Sequence, residues 1–501
     1  MQAELDRFDV PVAASRKRDP DRALTVWTRR LHGGTASRGD LADGMGTMSR
    51  HARWMAPGVM VLLALSACEE VERVQDRFRD LTPYEAYQES LAEAGLAETA
   101  LARDWLAAGR RAVEGAASIS LPFEEEGFIA AEEPGAMAYR VSVGRGQRLT
   151  AEVTLAGAAD TRLFVDLFRV PASPDDMPRP IYSSDSIPGS FAHEPWRGGD
   201  FILRLQPELL RGGQYRVILR LEAQLAFPVA GHGVRAVQSL FGVERDGGRR
   251  SHDGVDIFAR RGTPVLAASE GRVNRVDITN RGGKVVWVRD AIRNSNIYYA
   301  HLDSQHVSNG MLVEVGDTLG FVGNTGNART TPPHLHFGVY RRGEGPIDPV
   351  PFLRPPPDAL AELTADVTQL GSWVRLRNQG IRLRAAPGSR AEILRELGQH
   401  TPLRVLAGSG EYFRVRLPDG VNGYVAARLT EPADRPVDAR VTVQGGPVLL
   451  RPDRGAPVMA RLDEGAQVAV LGRFAGYLYV TVPSGYTGWL AEAGQQQQEQ
   501  E

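Results

Sequence analysis

The chain has 501 residues, 42% of them apolar and 24% charged, with 59 basic against 61 acidic side chains and a formal charge of −2. That length exceeds one hydrophobic core and implies three or four modules of ~100–200 residues. The balanced charge excludes the broad basic field of a nucleic-acid-binding protein, and the single cysteine, Cys68, excludes an internal disulfide and a thiolate zinc cluster.

Residues 1–47 are Arg-rich and polar and show no apolar period, so they read as an extension upstream of the true start, with Met48 or Met45 as initiator. From Met48 the pattern changes. Arg50 and Arg53 precede an apolar run from Ala56 to Ala67, shorter than the ~20 residues of a spanning helix. A basic flank, a short apolar centre and small residues make 48–67 a signal peptide. Leu65-Ser66-Ala67-Cys68 resembles a bacterial lipobox. The resemblance implies lipidation of Cys68 as the mature N-terminus, a membrane contact through that lipid, and a periplasm-facing lipoprotein of the cell envelope. Glu69 and Glu70 follow Cys68 where Asp is absent, which by the same resemblance implies sorting to the outer membrane.

Residues 68–81 are charged and read as a tether. Thr82 as cap, Pro83 at the first helical position and Glu85 three residues on are a helix start, and Gly95 is a stop. A second helix follows with Leu101 and Trp105 on one face, ending near Val113, so 82–116 is expected to be a helical hairpin. From about 138 the period becomes two. Tyr139, Val141 and Val143 alternate with polar residues, as do Leu149, Ala151, Val153 and Leu155 after a Gly-rich turn. With further strands at Leu163–Phe168, Phe201–Leu205 and Tyr215–Leu219, residues 117–225 are expected to form a β-sandwich. Its expected role is spacing, inhibition or contact with an envelope protein partner through the N-terminal region.

The central module spans 226–353 and holds His252-x3-Asp256, Tyr299-Ala300-His301-Leu302 and His334-Leu335-His336. On an extended strand, side chains an even number apart share a face. His252 is then expected beside Asp256, His334 beside His336, and Tyr299 beside His301. A catalytic zinc takes three protein ligands and keeps one position open, so five candidates stand for three places. His193, His232, His306 and His400 lack such company and read as packed or surface residues. No His-Glu-x2-His helix supplies a carboxylate base, so another group, for which histidine is suited, must handle protons. Gly323-Asn324-Thr325-Gly326 reads as a turn at a groove wall, since no Lys follows as in a phosphate loop.

These residues, together with Phe241-Gly242, Gly254 and Gly316-Asp317, resemble the lysostaphin/LytM-type zinc metallopeptidases over the whole module. The resemblance implies one Zn2+ per chain held by His252, Asp256 and His336, with His301 and His334 as the catalytic pair. It also implies an activity: metalloendopeptidase hydrolysis of peptide cross-links in peptidoglycan. The alternative reading is a non-catalytic or autoinhibited envelope scaffold that activates another wall hydrolase.

Pro355-Pro356-Pro357 marks a linker over 354–372. Beyond it lies an internal repeat. Gly380-Ile381-Arg382-Leu383-Arg384 is echoed by Pro447-Val448-Leu449-Leu450-Arg451, Tyr412–Val415 by Tyr477–Val480, and Gly423-Tyr424-Val425 by Gly488-Trp489-Leu490. Residues 373–430 and 438–493 are therefore expected to be two small β-barrels. Both resemble bacterial SH3-like domains, which implies peptidoglycan as partner. The tail 494–501 is polar and reads as disordered. The expected fold class is mainly β and multidomain, with an N-terminal helical hairpin plus β-sandwich, a central antiparallel β metallopeptidase domain and two C-terminal SH3-like barrels.

Overall fold

The computed structural model describes residues 81–157, 161–171, 173, 179–185, 189–245, 247–355 and 359–492. The stretches expected to be a signal peptide, a lipidation site at Cys68, a tether up to residue 80 and a tail from residue 493 lie outside them. The described part is mainly β. Among the described residues no helix is long and apolar enough to cross a membrane.

Helix α1 spans Pro83–Glu93, and Thr82 and Glu85 close a capping box at its start. Helix α2 spans Ala100–Glu114 and is capped by Thr99. Its buried stripe is Ala102, Trp105, Ala108 and Gly109, whereas Leu101 is only half-buried. Trp105 sets that orientation. Its ring stacks on Tyr84 at 5.0 Å, and its indole N–H donates to the Pro207 carbonyl at 2.8 Å.

The two-residue strand Ala117–Ser118 and eight longer strands follow: β1 Phe123–Ile129, β2 Met137–Val143, β3 Gln147–Gly157, β4 Leu163–Arg169, β5 Pro180–Ser184, β6 Gly189–His193, β7 Gly199–Pro207 and β8 Gly213–Ala223. One sheet runs Ala117–Ser118, β2, β7, β4, β5; the opposing one carries β1, β8, β3 and β6. Tyr139, Val141, Leu149, Ala151, Leu203 and Val217 fill the space between them.

The central module is built on one sheet of β9 Val237–Ser239, β10 Val255–Phe258, β11 Gly271–Thr279, β12 Gly283–Asp290, β13 Ser295–Leu302, β14 Leu312–Val313, β15 His334–Arg341 and β16 Gly345–Ile347. The order is β9-β10-β15-β13-β12-β11-β14, with β16 beside β15, and neighbouring strands run antiparallel. Val255, Ile257, Tyr299, Leu335 and Phe337 are buried behind it. The sandwich grips this module through Trp196, which packs on Phe352 at 5.3 Å and donates to Glu344 at 2.8 Å.

The first C-terminal unit has β17 Trp373–Leu376, β18 Ile381–Arg384, β19 Ile393–Leu397, β20 Pro402–Ser409, β21 Tyr412–Arg416 and β22 Asn422–Ala426. The second is a six-stranded sheet of β23 Asp438–Thr442, β24 Gly446–Leu449, β25 Val458–Leu462, β26 Gln467–Phe474, β27 Tyr477–Thr481 and β28 Thr487–Ala491. The stretch read as a linker is shorter than expected, because Leu363, Ala365 and Leu370 already pack into the core beneath β17 and β20.

The first C-terminal unit returns to the sandwich. Glu126 and Gly127 of β1 pair with Gly408 and Ala407 of β20, so one sheet runs through both. Beneath that join lies Glu125, fully buried. Its Oε1 accepts from the hydroxyls of Tyr139 at 2.6 Å and Tyr215 at 2.7 Å, and its Oε2 from Tyr424 at 2.7 Å. Arg414 donates to the same carboxylate at 3.3 Å. Gly127 makes room, since a Cβ there would lie 2.6 Å from the Tyr215 ring. Buried charges survive only when paired and fully hydrogen-bonded, and this one joins two modules far apart in sequence.

Glu125→Ala would strand Arg414 and three phenols. Its expected cost is ~3–5 kcal/mol in denaturant unfolding, with Glu125→Gln between it and the parent. Burial also raises Tyr139, Tyr215 and Tyr424 well above their ordinary 10.0. Their contribution is therefore complete below that pH and is lost as pH rises through the folded-state values, so unfolding midpoints should fall in strong base.

Candidate metal centre

β10 pairs with β15 so that Asp256 faces His336 and Phe258 faces His334. Directly opposed residues share a face of a sheet, so Asp256, His334 and His336 emerge together while Leu335 and Phe337 enter the core. His252 arrives differently from the expectation. The hairpin Glu244–Arg245/Arg250–Ser251 ends just before it, and residues 253–254 bend before β10 begins at Val255. This bend, not a shared strand face, lays His252 over Asp256. Gly254 is required at the bend, because a Cβ would lie 2.5 Å from the Phe337 carbonyl and 2.9 Å from the His336 ring.

The expectation that Tyr299 and His301 share a face is overturned. Tyr299 is a core residue, fully buried against Phe337, and its hydroxyl accepts from the Ala268 N–H at 2.9 Å. The register of β13 on β12 slips between Tyr299 and Leu302, and His301 adopts φ +63°. This bulge inserts a residue and turns His301 to the opposite face. Its ring lies 5.0 Å from that of His334 and 6.0 Å from that of His336. A left-handed non-glycine residue costs ~1–3 kcal/mol and persists only where its surroundings hold it. Here the His301 N–H donates to Gly282 at 2.7 Å, and its ring Nδ1 pairs with the Thr325 carbonyl at 2.9 Å.

The Gly323–Gly326 turn does more than wall a groove. Its Thr325 carbonyl orients His301, and its Gly323 carbonyl accepts from the His334 backbone at 3.0 Å. Thr325 Oγ1 accepts from the Lys284 N–H at 3.0 Å and donates to the Leu302 carbonyl at 2.8 Å, tying the turn to β12 and β13.

Three atoms converge. Asp256 Oδ1 lies 3.1 Å from His252 Nε2 and 3.1 Å from His336 Nδ1, and the two nitrogens are 3.0 Å apart. A carbonyl oxygen can only accept. The Leu240 carbonyl, 2.9 Å from His252 Nδ1, therefore fixes the proton there and leaves Nε2 bare. The same logic applies to His301 on Thr325 and to His334, whose Nδ1 is 2.9 Å from the Pro332 carbonyl. Lone pairs and a carboxylate turned on one another call for a cation, and two imidazoles with one carboxylate are a zinc donor set.

Arg245 was not legible as part of the site. Its Nη2 donates to Asp256 Oδ2 at 2.7 Å and to Ser239 Oγ at 2.5 Å, leaving Oδ1 for the centre. Burial alone would raise the Asp256 carboxyl, but the facing imidazoles of His252 and His336 outweigh it and hold it well below the usual carboxylate range. Burial, then the neighbouring His334 and His336, pulls His301 down to about 4. Burial likewise lowers His336 against the opposing pull of Asp256. Outside this group, His193 packs on Phe201 and His306 on Phe321.

Residues 250–349 match Peptidase family M23, and residues 379–431 match the bacterial SH3 domain. The L-Ala–D-Glu endopeptidase of Bacillus subtilis (strain 168) is 39% identical over 140 residues, 26% of this chain and 43% of the relative. Peptidoglycan DD-endopeptidase ShyC of Vibrio cholerae serotype O1 is 38% identical over 110 residues, 21% of this chain and 24% of the relative. The uncharacterized lipoprotein YgeR of Escherichia coli (strain K12) is 38% identical over 114 residues, 22% of this chain and 41% of the relative. The chain thus spans less than half the length of each of these relatives.

Gly254→Ala is expected to displace the His336 ring and weaken zinc binding by about tenfold or more, the scale of outer-shell disruptions. Competition with a chromogenic chelator measures it. Unchanged affinity would show that the close approach of Gly254 to His336 is not needed.

Proposed function

We propose that this chain, whose residues 250–349 are a peptidase family M23 domain, is a zinc-dependent endopeptidase that hydrolyses peptide cross-links of peptidoglycan. The observation that carries the reading is the convergence of His252 Nε2, Asp256 Oδ1 and His336 Nδ1, with two further imidazoles turned to the same place. His252, Asp256 and His336 would hold the ion. Bound there, zinc supplies a Lewis acid for the scissile carbonyl and acidifies water.

The chain's own residues do the rest. Arg245 orients Asp256 through Oδ2, and the facing imidazoles of His252 and His336 hold its carboxylate ionised. His301, neutral near pH 7 and with its proton fixed on Nδ1, presents Nε2 as an acceptor for the proton of the attacking water. His334 is held the same way by Pro332, and its ring stacks on Phe258 at 5.1 Å. Between them the two histidines move that proton and stabilise the oxyanion as it forms.

The address of this chemistry is the cell envelope. The lipobox-like Leu65-Ser66-Ala67-Cys68 supports a lipid anchor on Cys68 facing the periplasm, in the outer membrane, and similarity to a lipoprotein is consistent with it. The SH3 domain at 379–431 and the related repeat at 438–493 support attachment to the wall. The α1–α2 pair and the sandwich offer surface for an envelope protein partner.

Zinc-loaded full chain incubated with purified peptidoglycan should release peptides detectable by mass spectrometry, and a chelator should stop it. His301→Ala and His334→Ala should each lower kcat by ~10²–10⁴-fold while retaining one zinc per chain. Parent-like rates in both variants would remove these histidines from the mechanism. No release by the parent would remove the wall as substrate.

A further inference from the structure

The sheet face that carries the zinc-type donors continues beyond them. His336, Gly338 and Tyr340 follow one another on β15, Tyr298 of β13 lies opposite Gly338, and Trp287 of β12 lies opposite Tyr298. Side chains two apart on a strand, or directly opposed across a pair, share a face. Three half-buried rings therefore floor the groove next to the metal centre. Tyr298 lies 5.7 Å from the His336 ring and 6.3 Å from Tyr340. Trp287 supports both tyrosines, at 4.3 Å and 5.1 Å.

This floor has two unlike walls. On the β10 side the backbone at Asp253 closes over Gly338, where a Cβ would lie 3.2 Å from the Asp253 carbonyl and 2.9 Å from the Tyr340 ring. On the β12 side the turn 279–283 closes over Tyr298, since a Cβ on Gly282 would lie 2.1 Å from the Tyr298 hydroxyl. Arg281 belongs to that turn. Its carbonyl accepts from the Asn327 N–H at 3.0 Å, which ties this wall to the turn that holds His301.

The walls carry opposite charges. Asp253 and Arg281 are both exposed, and neither forms an ion pair among the described residues. The Asp253 carboxylate accepts from the Ser251 hydroxyl at 3.4 Å. Arg275, which also acts on Tyr298, is already paired with Asp277. Asp253 and Arg281 act on one ring between them. Burial, then Asp253 and Tyr298, push the Tyr340 hydroxyl up to about 12, and Arg281 opposes them. A carboxylate beside aromatic rings suits a cation, and an unpaired guanidinium suits a carboxylate.

We propose that this end of the groove selects a substrate residue whose side chain ends in both an ammonium and a carboxylate. Asp253 and the Tyr340 ring take the ammonium, and Arg281 takes the carboxylate. A side chain with an ammonium alone satisfies one wall and leaves Arg281 without a partner, so the two walls together discriminate. The inference rests on the wall-hydrolase reading for the kind of peptide that enters the groove.

The test uses the zinc-loaded full chain carrying His334→Ala, so that nothing is cut. Two fluorescein-labelled tetrapeptides, identical except at the third residue, are read by polarisation. Diaminopimelate supplies both groups there, and lysine supplies the ammonium alone. The diaminopimelate peptide should bind about threefold or more tighter. Adding Arg281→Gln, which keeps the backbone carbonyl, should erase that preference and leave Kd for the lysine peptide within about twofold. Adding Asp253→Asn should weaken both peptides by about threefold. Absent binding, equal affinity for the two peptides, a preference that survives Arg281→Gln, or unchanged binding in Asp253→Asn would each overturn the proposal. Since no hydrolysis is read, failure of the wall-hydrolase reading would appear as no peptide release by the parent chain and leave these ratios as they are.

Discussion

The pairing of β10 with β15 is the constraint on which the site depends. It sets Asp256 opposite His336 and Phe258 opposite His334, so one strand pair fixes two zinc-type donors and one of the flanking imidazoles. A slip of one residue would send all of them into the core and bring Leu335 and Phe337 to the surface. The burial of Val255, Ile257, Leu335 and Phe337 behind the sheet opposes that slip. The stability of the core and the geometry of the centre are thus one requirement.

The other two histidines of the site depend on departures from regular β-structure. His252 needs the bend at Gly254, and His301 needs a bulge with a left-handed residue. Both departures are locked from outside the strand, by Leu240 and by the Thr325 turn. Backbone carbonyls thereby choose the tautomers of His252, His301 and His334 before any ion or substrate arrives. A second polar centre, around Glu125, works at larger scale. It joins the sandwich to the first C-terminal unit.

Much of this was legible in the sequence. Alternation marked Tyr139–Val143 and Leu149–Val153, Thr82 and Glu85 marked the start of α1, and His334-x-His336 marked a shared face. What failed did so for physical reasons. Regular alternation put His301 with Tyr299, because a bulge leaves no trace in a period of two. Arg245 looks like any surface arginine until folding places it against Asp256. Strand β1 carries Glu124, Glu125 and Glu126 in a row, so its inward position reads as polar. Only partners far along the chain, Tyr424 and Arg414, make Glu125 a core residue. The triple proline promised a long linker, but Ala365 lies in the core of the next module.

The convergence of His252 Nε2, Asp256 Oδ1 and His336 Nδ1 says which atoms take the ion, and X-ray diffraction at the zinc absorption edge from the zinc-loaded chain tests this directly. It predicts one anomalous peak within bonding distance, ~2.0–2.2 Å, of His252 Nε2, Asp256 Oδ1 and His336 Nδ1, with His301 and His334 outside that distance. A peak bonded to His301 or His334 in place of any of the three would contradict it.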